Sequence, residues 1–329
     1  MLIMRNSFTD SGHAGRLFCF ERYFFPVVFM IASFLPAPLL GLLTFLSFSA
    51  MITFWFVMML PGVLLRCVPI YRVQRLASRY CVWIARNWVG SNALMLRLLH
   101  PVRWQLSMEG EMDPSRSYLL ISNHQSWADI LVIFDVFHRR TPFARFFLKR
   151  DLLYVPIIGV VCWAMDFPFM TRAAGRADLE TTRRACEVYR EVPVTVVNFL
   201  EGTRFTEAKR EATQSPYTRL LRPKTGGLAY TLNAMGDQFA GIVDVTIEYT
   251  QVAKPLAWSW LSGQQADLQL HVRVLPVPQH LLDGDFAGEV AYREAVQKWL
   301  AQVWAEKDQR LQQGLQSPAD KLSYQDGIS

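Results

Sequence analysis

The segment Ile121-Ser122-Asn123-His124-Gln125-Ser126-Trp127-Ala128-Asp129 sets an imidazole five residues before a carboxylate. It follows the apolar run Tyr118–Ile121, so His124 leaves a strand end and Asp129 falls near the start of the next helix. A carboxylate there can accept the second imidazole N–H, fix its tautomer and stabilise its charged form. The other nitrogen is then open to take a proton from an alcohol. The same pair could equally do no more than cap a turn. A second apolar run, Val196–Leu200, passes straight into Glu201-Gly202-Thr203-Arg204. Gly202 permits close backbone approach, and the Arg204 fork matches a phosphate. An ordinary strand and turn with a surface Glu and Arg has the same pattern.

A third stretch runs from Lys149-Arg150-Asp151 through Pro156 and Gly159 to Phe167-Pro168-Phe169-Met170-Thr171-Arg172. Lys149 and Arg172 together could hold an anionic headgroup, although single basic residues are more often merely solvated. The intervening Leu152–Met165 is too short to cross a bilayer, so it packs in the core or dips into lipid.

Strands must deliver these residues. Alternating or apolar runs predict strands at Arg103–Glu109, Ser117–Ser122, Phe167–Thr171, Val194–Leu200, Asp244–Tyr249 and Leu268–Val277. Helical patterns over Ala177–Arg190 and Leu220–Leu232 lie between them, and Ala287–Gln313 reads as a closing amphipathic helix. Strands alternating with helices imply an α/β sandwich. The expected division is an anchor over 1–75, the α/β domain over 76–290, and a closing helix with a loose tail over 291–329.

The N-terminal part is of another kind. From Tyr23 to Leu65 no side chain is charged, a run of about forty residues and roughly twice what a spanning helix needs. Pro36 and Pro38 interrupt it, predicting two helices joined there, with Pro61 marking where the second weakens. Arg66, Arg72, Arg75, Arg79, Arg86, Arg97 and Arg103 then follow, with no acidic residue before Glu109. A basic shoulder beside an apolar anchor fits a cytoplasmic flank against anionic headgroups. Interleaved Tyr71, Tyr80, Trp83, Trp88 and Trp104 suit an interface, and no nucleic-acid motif accompanies the charge.

The chain has 329 residues, 51% of them hydrophobic, and a net charge of +6. That is too apolar for an ordinary soluble enzyme and too polar for a many-pass transporter. Five cysteines, an odd number without C-x-x-C spacing, suggest neither a disulfide framework nor a zinc site.

Taken in order, these segments resemble the glycerolipid acyltransferase family typified by the PlsC-like lysophosphatidic acid acyltransferases. The N-H-x-x-x-x-D motif is matched by Asn123, His124 and Asp129. A second, apolar motif ending in arginine is matched by Phe167, Phe169 and Arg172. The F-x-E-G-T/S-R motif is matched by Phe199, Glu201, Gly202, Thr203 and Arg204. The resemblance implies a mixed-sheet α/β domain with an N-terminal membrane-embedded helical anchor. It implies His124 as general base and Asp129 as its orienting carboxylate. Asn123, Glu201, Gly202 and Thr203 would then line the acceptor site, and Lys149, Arg172 and Arg204 would hold its phosphate. The acceptor would be a lysophospholipid, with lysophosphatidic acid first. Lysophosphatidylglycerol, lysocardiolipin and lysophosphatidylinositol are alternatives. The donor would be acyl-CoA or acyl-ACP, so acyl carrier protein is a conceivable partner beside the bilayer. No cofactor or metal is implied. The place implied is a bacterial inner (cytoplasmic) membrane, with the active site on its cytoplasmic side.

Two other classes compete. A lipid hydrolase would need an activated serine, and no G-x-S-x-G elbow occurs. A non-catalytic membrane adaptor would have little use for His124, Asp129, Glu201 and Arg204 together.

Overall fold

An inner strand of the protein, β2 (Ser117–Ser122), is buried along its whole length. Its sequence, Ser-Tyr-Leu-Leu-Ile-Ser, is the continuous apolar run expected of a strand covered on both faces. The computed structural model describes residues 34–99, 103–170, 184–187, 189–190, 192–250, 256–264, 267–284, 286, 288–314 and 322–323. Around β2 lie β1 (Arg103–Glu109), β3 (Ala144–Phe146), β6 (Thr195–Phe199), β7 (Phe239–Thr250), β8 (Asp267–Leu275) and β9 (Leu322–Ser323). Together they form a mixed sheet in the order β3-β6-β2-β7-β8-β1-β9. Strands β3, β6, β2 and β7 are mutually parallel, and β8 reverses against β7. A separate parallel pair, β4 (Leu148–Lys149) with β5 (Phe169–Met170), stands outside this sheet.

Helices cover both faces, which makes the α/β sandwich. They follow the anchor helix α1 (Ala37–Arg66) in the chain, and three of them, α4 (Ile158–Ala164), α5 (Glu207–Ala212) and α7 (Leu256–Leu261), are short. On one face α2 (Tyr71–Leu99) and α3 (Ala128–Phe137) contribute Ile84, Val89, Val132 and Phe137, which pack on Leu120, Val243, Val245 and Leu270. On the other, α6 (Thr225–Met235) and α8 (Val290–Gln313) contribute Leu228, Leu232, Val296, Leu300 and Trp304, which pack on Leu119, Ile121, Val196 and Ile242. The closing helix is therefore a layer of the α/β body, not a separate unit beyond the expected boundary near 290. Likewise α2 runs across the boundary expected at 75, joining the anchor to the core without a break.

Part of the second face is charged. Residues Asp244, Thr246 and Glu248 of β7 stand opposite Arg273, His271 and Gln269 of β8. Under α8, Lys307 Nζ lies 2.7 Å from Asp244 Oδ1, and Arg273 Nε donates to Asp244 Oδ2 at 2.7 Å. Lys307 and Asp244 are both fully buried. Burial pushes the Asp244 carboxyl up, but the charges of Lys307 and Arg273 outweigh it and hold the group below its usual value.

Among the described residues, α1 is the one helix long and apolar enough to cross a membrane. At 30 residues it is about 45 Å long, longer than a bilayer core is thick. The first of the two expected anchor helices falls on residues 1–33, outside the described residues. At Pro61 the structure departs from expectation, because α1 continues without a stop to Arg66. Packing against α2 holds it there. The Tyr80 hydroxyl donates to Met58 O at 2.6 Å, and Gly62 lies so close to Tyr80 and Cys81 that a Cβ would stand 2.7 Å from each. A proline removes one helical donor, and tertiary contact makes up for it.

Candidate active site

The carboxyl ends of β2, β6 and β7 meet at one end of the parallel strands, where α/β sheets commonly hold their sites. β2 ends at Ser122, and the chain is then held by Asn123, which is fully buried. The Asn123 side chain donates to Ile247 O and accepts from Ile247 N, both at 2.9 Å, prolonging the β2–β7 pairing through an amide. With both of its amide groups engaged this way, Asn123 fixes the turn that carries His124.

His124 Nδ1 lies 2.8 Å from Asp129 Oδ2. The backbone N–H groups of Gln125 and Ser126 donate to that same oxygen at 2.7 and 3.0 Å. The other oxygen, Oδ1, accepts the Tyr249 hydroxyl at 2.7 Å. Asp129 is fully buried in the first turn of α3, so four donors surround a carboxylate that water does not reach. Such a group acts only as an acceptor. Nδ1 must then carry the proton, which leaves Nε2 as a lone pair. Burial, reinforced by the Asp129 charge, pushes the Tyr249 phenol well above its usual value, so it serves as a lasting donor. The imidazole stacks on Phe199 at 4.2 Å between ring centroids, and Phe146 continues the stack behind Phe199 at 5.8 Å. One nitrogen, one face and the tautomer are thereby set.

Glu201 sits just past the end of β6 and is 2% exposed. Its Oε1 accepts His124 N–H at 3.1 Å and its Oε2 accepts Leu221 N–H at 3.2 Å. Burial pushes its carboxyl up to about 7, although both backbone donors pull the other way. The His124 carbonyl in turn accepts Phe205 N–H at 2.6 Å. The two motifs are thus tied to each other through main chain in both directions. Gly202 has φ +67, a left-handed conformation, and a Cβ there would meet Lys224 Nζ at 3.0 Å. Lys209 Nζ donates to Thr203 Oγ1 and to Arg204 O, both at 2.9 Å, wrapping the turn on which Arg204 is exposed.

Seven of the expected site residues therefore gather at one end of the sheet: Asn123, His124, Asp129, Glu201, Gly202, Thr203 and Arg204. Lys149 stands on β4, half exposed, with Asp151 as its ion-pair partner. Arg172 lies outside the described residues. Tyr249 escaped sequence reading, as did the backbone role of Glu201. Tyr249 lies 120 residues from its partner. The available signal was an aromatic hydroxyl at the end of an otherwise apolar strand alternation. Among the described residues, no group of three or more His, Cys, Asp or Glu is arranged to hold a metal ion. What the geometry provides is a fixed, one-sided proton acceptor beside an aromatic wall.

Comparison with known proteins gives the following similarities. Residues 105–250 match the family model described as Acyltransferase. The chain is similar to 1-acyl-sn-glycerol-3-phosphate acyltransferase delta of Homo sapiens. The two are 28% identical over 170 residues, 49% of this chain and 42% of that protein. It is also similar to 1-acyl-sn-glycerol-3-phosphate acyltransferase 3 of Arabidopsis thaliana, 29% identical over 168 residues, 47% of this chain and 44% of that protein. The match thus spans less than half the length of these curated relatives. Among solved structures, the 1-acyl-sn-glycerophosphate acyltransferase PlsC of Thermotoga maritima aligns with a TM-score of 0.49 and 18% identity, covering 82% of this chain and 97% of that one.

Proposed function

We propose that the protein transfers a fatty acyl group from a thioester to the free hydroxyl of a lysophospholipid, a reading supported by the match of residues 105–250 to the Acyltransferase family model and by the similarity to 1-acyl-sn-glycerol-3-phosphate acyltransferases. Lysophosphatidic acid is the acceptor of first choice, giving phosphatidic acid. The observation that carries the reading is the His124 Nδ1 contact with the four-donor carboxylate of Asp129. Nε2 of His124 takes the proton of the acceptor hydroxyl as its oxygen attacks the thioester carbonyl. The carbon–sulfur bond then breaks, and the leaving thiolate recovers a proton from the imidazolium that Asp129 has stabilised. No covalent enzyme intermediate is required.

Arg204, Lys149 and Arg172 are the cations assigned to the acceptor phosphate, which a planar guanidinium can grip with two parallel bonds. Asn123, Glu201, Gly202 and Thr203 shape the turns beneath it. The apolar α1 supports association with a membrane. Substrate and product both carry long chains, so the site has to stand where those chains already are. The basic shoulder after Leu65 favours the cytoplasmic side of a bacterial inner membrane.

The test uses detergent-purified protein with acyl-CoA or acyl-ACP and a panel of lysophospholipids, with products followed by mass spectrometry. Conversion should fall by about two to four orders of magnitude in His124→Ala. An unchanged rate in that variant would remove His124 as the base. Fatty acid released without any acceptor would point to a hydrolase. No turnover of any acceptor with either donor would favour an adaptor that kept the fold.

A further inference from the structure

Where α1 gives way to α2 the protein forms a half-open cavity of about 330 Å³ lined by Arg66, Arg75, Arg79, Arg86 and Arg145. Asp166 is the one carboxylate among the described residues that line it, and it is already engaged. Both of its oxygens take the Arg66 guanidinium, and Oδ2 also accepts the Ser78 hydroxyl at 3.0 Å. Arg145 is 5% exposed, and its Nε is buried without a hydrogen-bond partner. The Arg145 guanidinium lies 4.8 Å from the centroid of the Tyr189 ring, which orients it without supplying an acceptor oxygen. Five guanidinium groups set around one spent carboxylate call for an anion with several oxygens, and phosphate is the group that planar forks match.

This cavity is not the acyl-transfer site. Val192 and Pro193, which lead into β6, are part of its lining, whereas Glu201 follows the other end of that strand. A five-residue strand separates the two by roughly 15 Å. The surroundings of the cavity indicate depth in a membrane. Arg75, Arg79 and Arg86 recur at helical spacing on one face of α2. Leu76, Trp83 and Leu94 form an adjoining stripe, 64%, 57% and 46% exposed. An exposed apolar stripe beside a row of arginines, at the end of a helix apolar enough to enter a bilayer, lies where headgroups are found.

We propose that this arginine cavity is a second anion site, distinct from the catalytic end, that binds a phosphate group, either on a lipid headgroup or free in solution. It draws on the cavity and its charges alone and does not depend on which acceptor is acylated. Full-length protein would be bound to phosphatidylcholine vesicles with and without phosphatidylglycerol, and separately titrated with inorganic phosphate by calorimetry. The exposed pair Arg79→Gln/Arg86→Gln is compared with Arg72→Gln, which removes charge from α2 outside the cavity lining. For a lipid phosphate, the double variant loses ten-fold or more of its preference for phosphatidylglycerol, and more per charge removed than Arg72→Gln. For a free phosphate, saturable binding by the wild type disappears in the double variant alone. Equal loss per charge in both variants, together with no variant-dependent phosphate binding, would overturn the proposal. Acyl transfer in neutral detergent should keep its wild-type rate in Arg79→Gln/Arg86→Gln, so this inference and the enzymatic reading fail by different results.

Discussion

Replacing Asp129 by asparagine separates charge from geometry at the proposed base. Three donors converge on Oδ2, from His124, Gln125 and Ser126, and among the described residues the Tyr249 hydroxyl alone reaches Oδ1. An asparagine amide nitrogen turned toward the three donors would oppose all of them, so its oxygen takes the Oδ2 position. The amide nitrogen then faces Tyr249, whose hydroxyl can rotate from donor to acceptor. All four contacts survive, and the negative charge does not. A hydrogen bond to a charged group contributes about 1.5–3 kcal/mol against about 0.5–1.5 for a neutral one, so the imidazolium loses about 1–2 kcal/mol of support. At about 1.36 kcal/mol per decade that is roughly a 5- to 30-fold fall in kcat, well short of the loss expected for His124→Ala. Initial rates with lysophosphatidic acid and acyl-CoA would be measured beside circular-dichroism melting, which should show a folded variant. Asp129→Asn at the full wild-type rate would refute the reasoning. So would a folded variant as inactive as His124→Ala, since orientation and charge would then not be separable.

Glu201 keeps its proton up to about pH 7 in the folded protein but releases it near 4.5 when unfolded. The folded state therefore holds more protons in that window, and stability falls as pH rises through it, by at most about 3 kcal/mol. Melting temperatures from about pH 4.5 to 8 should show this decline, and Glu201→Gln should flatten it; an identical slope in the variant would contradict the assignment. Lys307→Ala strands Asp244 with Arg273 alone beneath α8. Breaking a buried pair in this way costs about 3–5 kcal/mol, seen as a drop in melting temperature of roughly 10 °C. A variant that melts with the wild type would show the pair to be dispensable. Asn123→Ala removes both bonds to Ile247 and should lower kcat more than it raises KM, because the base turn loosens while the acceptor cations stay in place; a change confined to KM would argue for direct substrate contact.

Residues patterned by one face of one element were readable in the sequence. Arg103–Glu109 and Ser117–Ser122 are strands at the expected bounds, since their alternation and apolar runs are local. The motifs around His124 and Glu201 stood out for the same reason, each following an apolar strand. The expected helix Leu220–Leu232 instead begins at Thr225. Leu220 and Leu221 are buried, but as a loop whose main chain serves Ser215 and Glu201, and burial without periodicity looks helical in sequence. The alternation Asp244, Thr246, Glu248 reads as a solvent face. It lies buried because α8 covers it and brings Lys307 to Asp244 from far along the chain. Partners so distant leave no mark on local pattern, and the same holds for Tyr249 and Asp129.

The charged face beneath α8 bears on how the chain is made. α1 precedes the sheet in the chain, and domains generally form in the order they emerge. The base turn at His124 follows early, but it waits for Ile247 to receive Asn123 and for Tyr249 to complete the Asp129 carboxylate. Even then, Asp244 and Arg273 face open water until Lys307 arrives on the last long helix. A nascent chain paused before α8 would have its sheet half covered and its core unsealed. Sealing of this face of the sheet therefore waits for α8, whatever the earlier elements have already formed.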